Sequence, residues 1–217
     1  MTKILVTFAL RQEGVSFERR LTQRTSGGGM VVGRLNSREV GVTWLGMRLH
    51  DYKQFEGIME NFRPAIVINS GFAGAVRTLL EPGDFLLAEN FSSPEIVNVL
   101  EAAPVFDARG AFESVAEVAE PMDKMRINAA GNVLAVDMES AQFTAICLER
   151  AVPFITARMV SDRVDEAIPG VFLGKGLARM KDISDAFGFA VRMIQLRPRL
   201  ADRLTRLIGE VCRIVTV

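Results

Sequence analysis

Short unbroken apolar runs alternate along this chain with stretches whose apolar residues recur at helical spacing. The runs are Lys3 to Ala9, Ala65 to Asn69, Phe85 to Glu89, Ala135 to Asp137 and Phe154 to Val160. Continuous apolar segments of this length predict buried strands. Two further runs, Met30 to Leu35 and Glu39 to Leu45, are joined by Asn36-Ser37-Arg38 and predict a hairpin, after a turn at Ser26-Gly27-Gly28-Gly29. Phe112 to Val118 reads as one more strand. Helices are expected from a cap at Asp51 to about Asn61, between Pro94 and Pro104, over Pro121 to Asn128, and over Met138 to Arg150. A long helix is expected from about Lys175 to Leu196, with a last one starting at Pro198.

Alternation of strands and helices with one antiparallel hairpin predicts an α/β fold. The expected form is a single three-layer αβα domain with a mixed central β-sheet, spanning residues 1–217. No linker, internal repeat or low-complexity stretch divides it. The strand ending at Asp137, the helix after it and the strand ending at Asp162 read as a βαβ unit of a parallel sheet. Ligands bind where such strands end, so the carboxylates there are the first place to look for chemistry.

Composition narrows the picture further. Lysine plus arginine and aspartate plus glutamate number 26 each, which gives no global attraction to nucleic acid or anionic lipid. Zero net charge also favours self-association. Cys147 and Cys212 lack metal-ligand spacing and read as free buried thiols of a reducing compartment. The apolar start is too short for a signal segment, and no run reaches the roughly 18–20 residues that cross a bilayer. A soluble cytoplasmic protein is expected.

Glu13, Glu139 and Asp162 each follow an apolar run, at points where strand ends gather. Carboxylates sharing a partly dry cleft cannot all ionise equally, so one becomes a neutral acid while another stays a base. Such a set can protonate a leaving group and activate water, the needs of glycosidic cleavage. Each taken singly also fits a helix cap or a solvated loop. Ser70-Gly71-Phe72-Ala73-Gly74 follows a strand and reads either as a tight turn or as backbone that a ligand can approach closely. It matches neither the dinucleotide fingerprint nor a Walker loop. His50 has no nucleophile motif beside it and reads as a surface residue.

Several of these segments carry a resemblance. Ala135-Val136-Asp137-Met138-Glu139-Ser140-Ala141, then Val152-Pro153-Phe154 and Arg158-Met159-Val160-Ser161-Asp162, resemble the nucleoside phosphorylase/nucleosidase superfamily. Its 5′-methylthioadenosine/S-adenosylhomocysteine nucleosidase branch is the most similar. Ala9 to Glu13, Val67 to Gly74 and Pro82-Gly83-Asp84 match in order, so the similarity covers most of residues 1–165. The resemblance implies a purine nucleoside phosphorylase-like fold and cleavage of the N-glycosidic bond of an adenosine-derived nucleoside. Asp162 would protonate the departing purine, steadied by Ser161, and Glu13 would position the attacking water. Glu139 would hold the ribose hydroxyls, with Met138 against the sugar and Met47 and Gly71 lining the pocket. Arg158 and Asp137 would brace the strand ends. No metal or cofactor is implied, and a homo-oligomer is.

The chain also departs from the family pattern. Phe72 stands where a small polar residue is usual and Ala75 replaces a glycine, which crowds a phosphate site. The first turn lacks a Gly-x-Pro-x-Arg grip. Both favour water, while phosphorolysis, with inorganic phosphate as co-substrate held by Arg11 or Arg77, is the alternative. The segment between Asp84 and Arg109 is short, which leaves the 5′ substituent open; Phe91 and Val118 to Glu120 are candidate neighbours of the base. A nucleoside-binding protein without turnover is a further reading. Arg199, Arg203, Arg206 and Arg213 fall on one face of the last helix, opposite Leu200, Leu204, Leu207 and Val211. That face is a solvated one or a peripheral membrane contact, as would suit a superfamily branch that acts on adenosylated hopanoid lipids.

Overall fold

The first apolar run becomes β1 (Lys3–Phe8), and its alternating side chains define the layers of the molecule. A computed structural model describes residues 2–50, 52–170 and 180–214. On one side, Ile4, Val6 and Phe8 pack with Phe17 of α1 (Arg11–Glu18), Ile96 of α3 (Pro94–Val99) and Leu200, Leu204 and Leu207 of α6 (Met180–Ile214). On the other, Leu5 meets Phe55 and Ile58 of α2 (Tyr52–Phe62) and Phe143 and Cys147 of α5 (Ser140–Glu149). The expected helix–sheet–helix layering is present.

Around β1 the sheet is mixed. β2 (Thr22–Gly27), β3 (Met30–Leu35) and β4 (Arg38–Trp44) form an antiparallel meander, and β4 runs parallel to β1. Asn36 and Ser37, both at positive φ, close the β3–β4 hairpin as the sequence predicted. On the other edge of β1 lies β5 (Ile66–Ala75).

Beyond β5 the sheet closes on itself. β5 pairs with β8 (Val133–Asp137) and with β9 (Phe154–Asp162), while β7 (Ala108–Ser114) and β6 (Phe85–Ala88) complete the circuit between them. The interior of this five-stranded ring is filled by Ala73, Ala75, Leu86, Ala88, Phe112, Ala135 and Val160. Small residues dominate because so narrow a barrel has little room inside.

The ring corrects two expectations. β8 and β9 are not neighbours: β5 is antiparallel to β8 and parallel to β9, so no βαβ unit joins them. The glycine stretch after Asn69 is no loop either. It is the second half of β5, which has left β1 after Asn69, keeps the pairing with β9 that began at Val67, and takes up β8 at Gly74.

Other boundaries differ for legible reasons. β2 is exposed along its whole length and has no apolar alternation to reveal it. α1 buries only Gly14 and Phe17, too few to show a helical face. The strand expected over Phe112 to Val118 starts earlier, at Ala108. The two helices expected around Pro198 are one 35-residue helix that runs through it. The Asp51 cap, the helix start near Lys175 and the later part of the loop between Val164 and Gly176 lie outside the described residues. The apolar stripe Leu200, Leu204, Leu207 and Val211 is spent in the core, and Arg203 pairs with Asp107 at 2.6 Å. Among the described residues no helix is long and apolar enough to cross a membrane.

Candidate active site

One cavity of about 430 Å³ opens where the ring meets α1, α4 (Pro121–Ala130) and α6. Glu13, Met47, Phe72, Asp137, Met138, Glu139, Ser161 and Asp162 all line it, as does Gly74. Gly71 and Arg158 stand directly behind this wall: a Cβ on Gly71 would lie 2.8 Å from the Arg158 guanidinium and 3.0 Å from the Glu13 carboxylate. The residues singled out in the sequence thus meet at one cavity, although β8 and β9 do not pair with each other.

A β-bulge explains how neighbouring residues of β9 share the cavity. Ala73 pairs with Val160 and Gly74 with Asp162, which leaves Ser161 as an extra residue. In a regular strand Ser161 and Asp162 would face opposite ways; here both line the cavity. Ser161 Oγ lies 2.5 Å from Asp162 Oδ1 and 3.2 Å from the Ala73 carbonyl, so its one proton has two acceptors within reach. Gly74 leaves the space that Asp162 occupies, since a Cβ there would come within 3.1 Å of Oδ2.

The opposite wall is built around Arg158, which is 1% exposed. Its Nε donates to Asp137 Oδ2 at 3.0 Å, Nη1 donates to the Ser70 carbonyl at 2.5 Å, and Nη2 lies 3.6 Å from Glu139 Oε2. Asp137 also accepts from the Ser140 backbone N–H at 3.1 Å and from the Ser140 hydroxyl, which fixes the start of α5. One arginine thus ties β5, β8, β9 and α5 together. Removing one partner of such a buried pair strands the other, a loss of about 3–5 kcal/mol.

Burial and charge set the protonation states. Desolvation pushes Glu13 up to about 7, with the nearby Glu139 adding to it, against the lowering pull of the Leu10 N–H (3.0 Å) and Arg158. Burial also raises Asp162, although Lys124 and Ser161 pull it back. Burial works against the charge on Arg158, but Asp137, Glu139 and Glu13 outweigh it and hold its pKa above the ordinary value.

No protein-family model matches the chain. The 5′-methylthioadenosine/S-adenosylhomocysteine nucleosidase of Staphylococcus haemolyticus is 26% identical over 163 residues, covering 60% of this chain and 71% of the relative. The S-adenosylhomocysteine nucleosidase of Streptococcus pyogenes, solved with 5-methylthiotubericidin, superposes with a TM-score of 0.74 at 21% identity, over 95% of this chain and 96% of its own. This chain has the nucleosidase fold. The futalosine hydrolase of Helicobacter pylori shares it, with a TM-score of 0.71 at 19% identity over 96% and 98% of the two chains. The purine nucleoside phosphorylase-like architecture expected from the resemblance is borne out.

Within this nucleosidase fold, sequence reasoning overlooked part of the lining. Lys124 escaped it altogether: it is buried, donates to Asp162 Oδ2, and had no motif to mark it. Phe189, Ala190, Met193 and Ile194 of α6 also line the cavity, far in sequence from every matched segment. Val118 lies on the wall as anticipated, whereas Phe91 packs beside the ring interior instead. Arg77 is committed elsewhere, donating to Val133, Asn128, Gly131 and Asn132, and Arg11 stacks over Trp44 at 5.1 Å. Neither lines the cavity, so the anticipated anion grip is corrected. His50 is exposed beside the 3₁₀ turn Met47–Leu49. Cys147 is buried, its thiol pushed up to about 12 by desolvation, and Cys212 is half-buried.

Proposed function

We propose that this chain cleaves the N-glycosidic bond of an adenosine-derived nucleoside with water. The observation that carries the reading is a set of carboxyl groups around one apolar cavity, two of them raised in pKa. Asp162 protonates the departing purine, Glu139 accepts the ribose hydroxyls, and Glu13 orients and deprotonates the attacking water. The proton lost by water and the one gained by the base balance, so the reaction needs no cofactor or metal. Ser161 steadies the acid; Met138, Met47 and Phe72 pack against the nucleoside.

Water is favoured over phosphate by the charge at the Glu13 end. The cation that acts on Glu13 is Arg158, and it is already matched by Asp137 and Glu139. A phosphate dianion there would meet carboxylates rather than an unspent positive charge. The whole chain acts as one domain, at work in the cytoplasm as a homo-oligomer. Support for the assembly comes from exposed apolar residues at the cavity mouth, Leu10, Met47 and Ile194.

The test is adenine release from methylthioadenosine, with and without phosphate. Release is expected in both, and Asp162→Asn is expected to lower it by about 10²–10⁴. Absolute dependence on phosphate would replace hydrolysis by phosphorolysis. Binding of the nucleoside without release, by wild type and variant alike, would leave a binding protein instead.

A further inference from the structure

Lys124 has no task in the scheme above, yet its placement is costly. It is the one buried residue of α4, whose other residues are exposed or, like Ile127, only partly covered. A lysine is seldom buried unless its charge is paired, and apolar packing would fasten a helix at lower cost. Its ammonium has three donors, and three acceptors meet them: Asp162 Oδ2, the Arg163 carbonyl at 2.8 Å and the Glu166 carbonyl at 3.0 Å. A neutral amine, with two N–H groups and a lone pair, would not match that set. The pair therefore places a full positive charge against the carboxyl that, on the hydrolytic reading, must deliver a proton.

We propose that Lys124 is a positioning residue for the acid: it fixes the Asp162 carboxyl in the cavity wall and sets the pH at which that carboxyl yields its proton. Burial alone would make Asp162 hold its proton too tightly to give it to a purine nitrogen. The adjacent ammonium restores the acidity that efficient transfer needs. Other charges facing the pair are mostly engaged among themselves. Glu166, which pushes Asp162 up, is bound by Arg192 at 2.6 Å, and Arg192 also donates to the Ser161 carbonyl at 3.2 Å. Arg163 donates to Glu81 at 2.7 Å, Asp137 is held by Arg158, and Arg197 reaches the cavity from α6. Lys124 is the charge in direct contact with the acid.

This inference rests on the proposed hydrolysis but can be tested apart from it. Lys124→Met and Lys124→Arg are compared with wild type, with circular dichroism to confirm folding. In the pH profile of kcat/KM for methylthioadenosine, the alkaline limb is expected to move up by at least about one pH unit in Lys124→Met and to return in Lys124→Arg. A fall in activity with an unmoved limb would reduce Lys124 to a structural pair and overturn the proposal. Carboxyl carbon NMR of aspartate-labelled protein serves as the second readout, with the Asp162 signal identified by its loss in Asp162→Asn. An upward move of that titration in Lys124→Met supports the assignment even if wild type releases no base; an unchanged midpoint overturns it whatever the activity. Should Lys124→Met fail to fold, loss of the wild-type limb in Lys124→Arg carries the decision, since a retained charge must retain it.

Discussion

Glu13 shows how a single carboxyl can weigh on stability and chemistry at once. Its pKa of about 7 stands above the 4.5 of the unfolded chain, so between those values the folded protein binds the extra proton. Stability that is fully present below the lower value must then decline as pH rises through the upper one. The gap corresponds to about 3 kcal/mol by pH 8, less whatever solvent relaxation recovers. Glu13→Gln is therefore expected to stabilise the protein at pH 8 and to change little at pH 4, as read by urea denaturation at both. Equal effects at the two pH values would contradict the raised pKa of this half-buried carboxyl. The same residue was easy to find as a candidate, because it follows an apolar run inside a matched segment. Lys124 was not, since a lysine in a polar helix looks like any solvated lysine until the fold brings Asp162 beside it.

The elements divide by how much of their face they bury. β1, the first half of β5 and most of β9 are runs of mainly apolar residues and were legible as strands, and α2 showed its buried side through Phe55, Ile58, Met59 and Phe62. β2 and α1, with little to bury, left no periodic trace. Pro198 misled for a different reason: the rule that proline starts or stops a helix is local, whereas α6 is held by Leu196, Leu200, Leu204 and Leu207 packed on the sheet. The proline costs that helix one backbone hydrogen bond at Ile194. Pro198→Ala should then stabilise the protein by about 1–3 kcal/mol, the helical gain reduced by the freer unfolded chain. A loss of stability in chemical denaturation would mean that the packing of α6 requires the proline.

At the scale of the whole molecule, the matched segments named the architecture while the periodic pattern alone suggested an ordinary parallel unit. The difference lies in long-range pairing: nothing local tells β5 to hold β9 along one edge while the other passes from β1 to β8. The site depends on that arrangement, because Gly74 has Val136 on one edge and Asp162 on the other. The closure is uneven, however. Along β5 the seam with β9 runs from Val67 to Gly74, while the seam with β8 consists of Gly74 with Val136, Ala75 with Ala135, and the bond from Val76 N–H to the Leu134 carbonyl at 2.8 Å. Few bonds hold it, so this is where the barrel should part first in sub-global opening. Native-state hydrogen exchange at Val76 and Ala135 is expected to outpace that at Ile68 and Ile155. A nucleoside bound to Glu139 beyond β8 and to Asp162 on β9 would bridge the parting strands and slow it. Substrate, on this view, acts as the missing rung of the barrel.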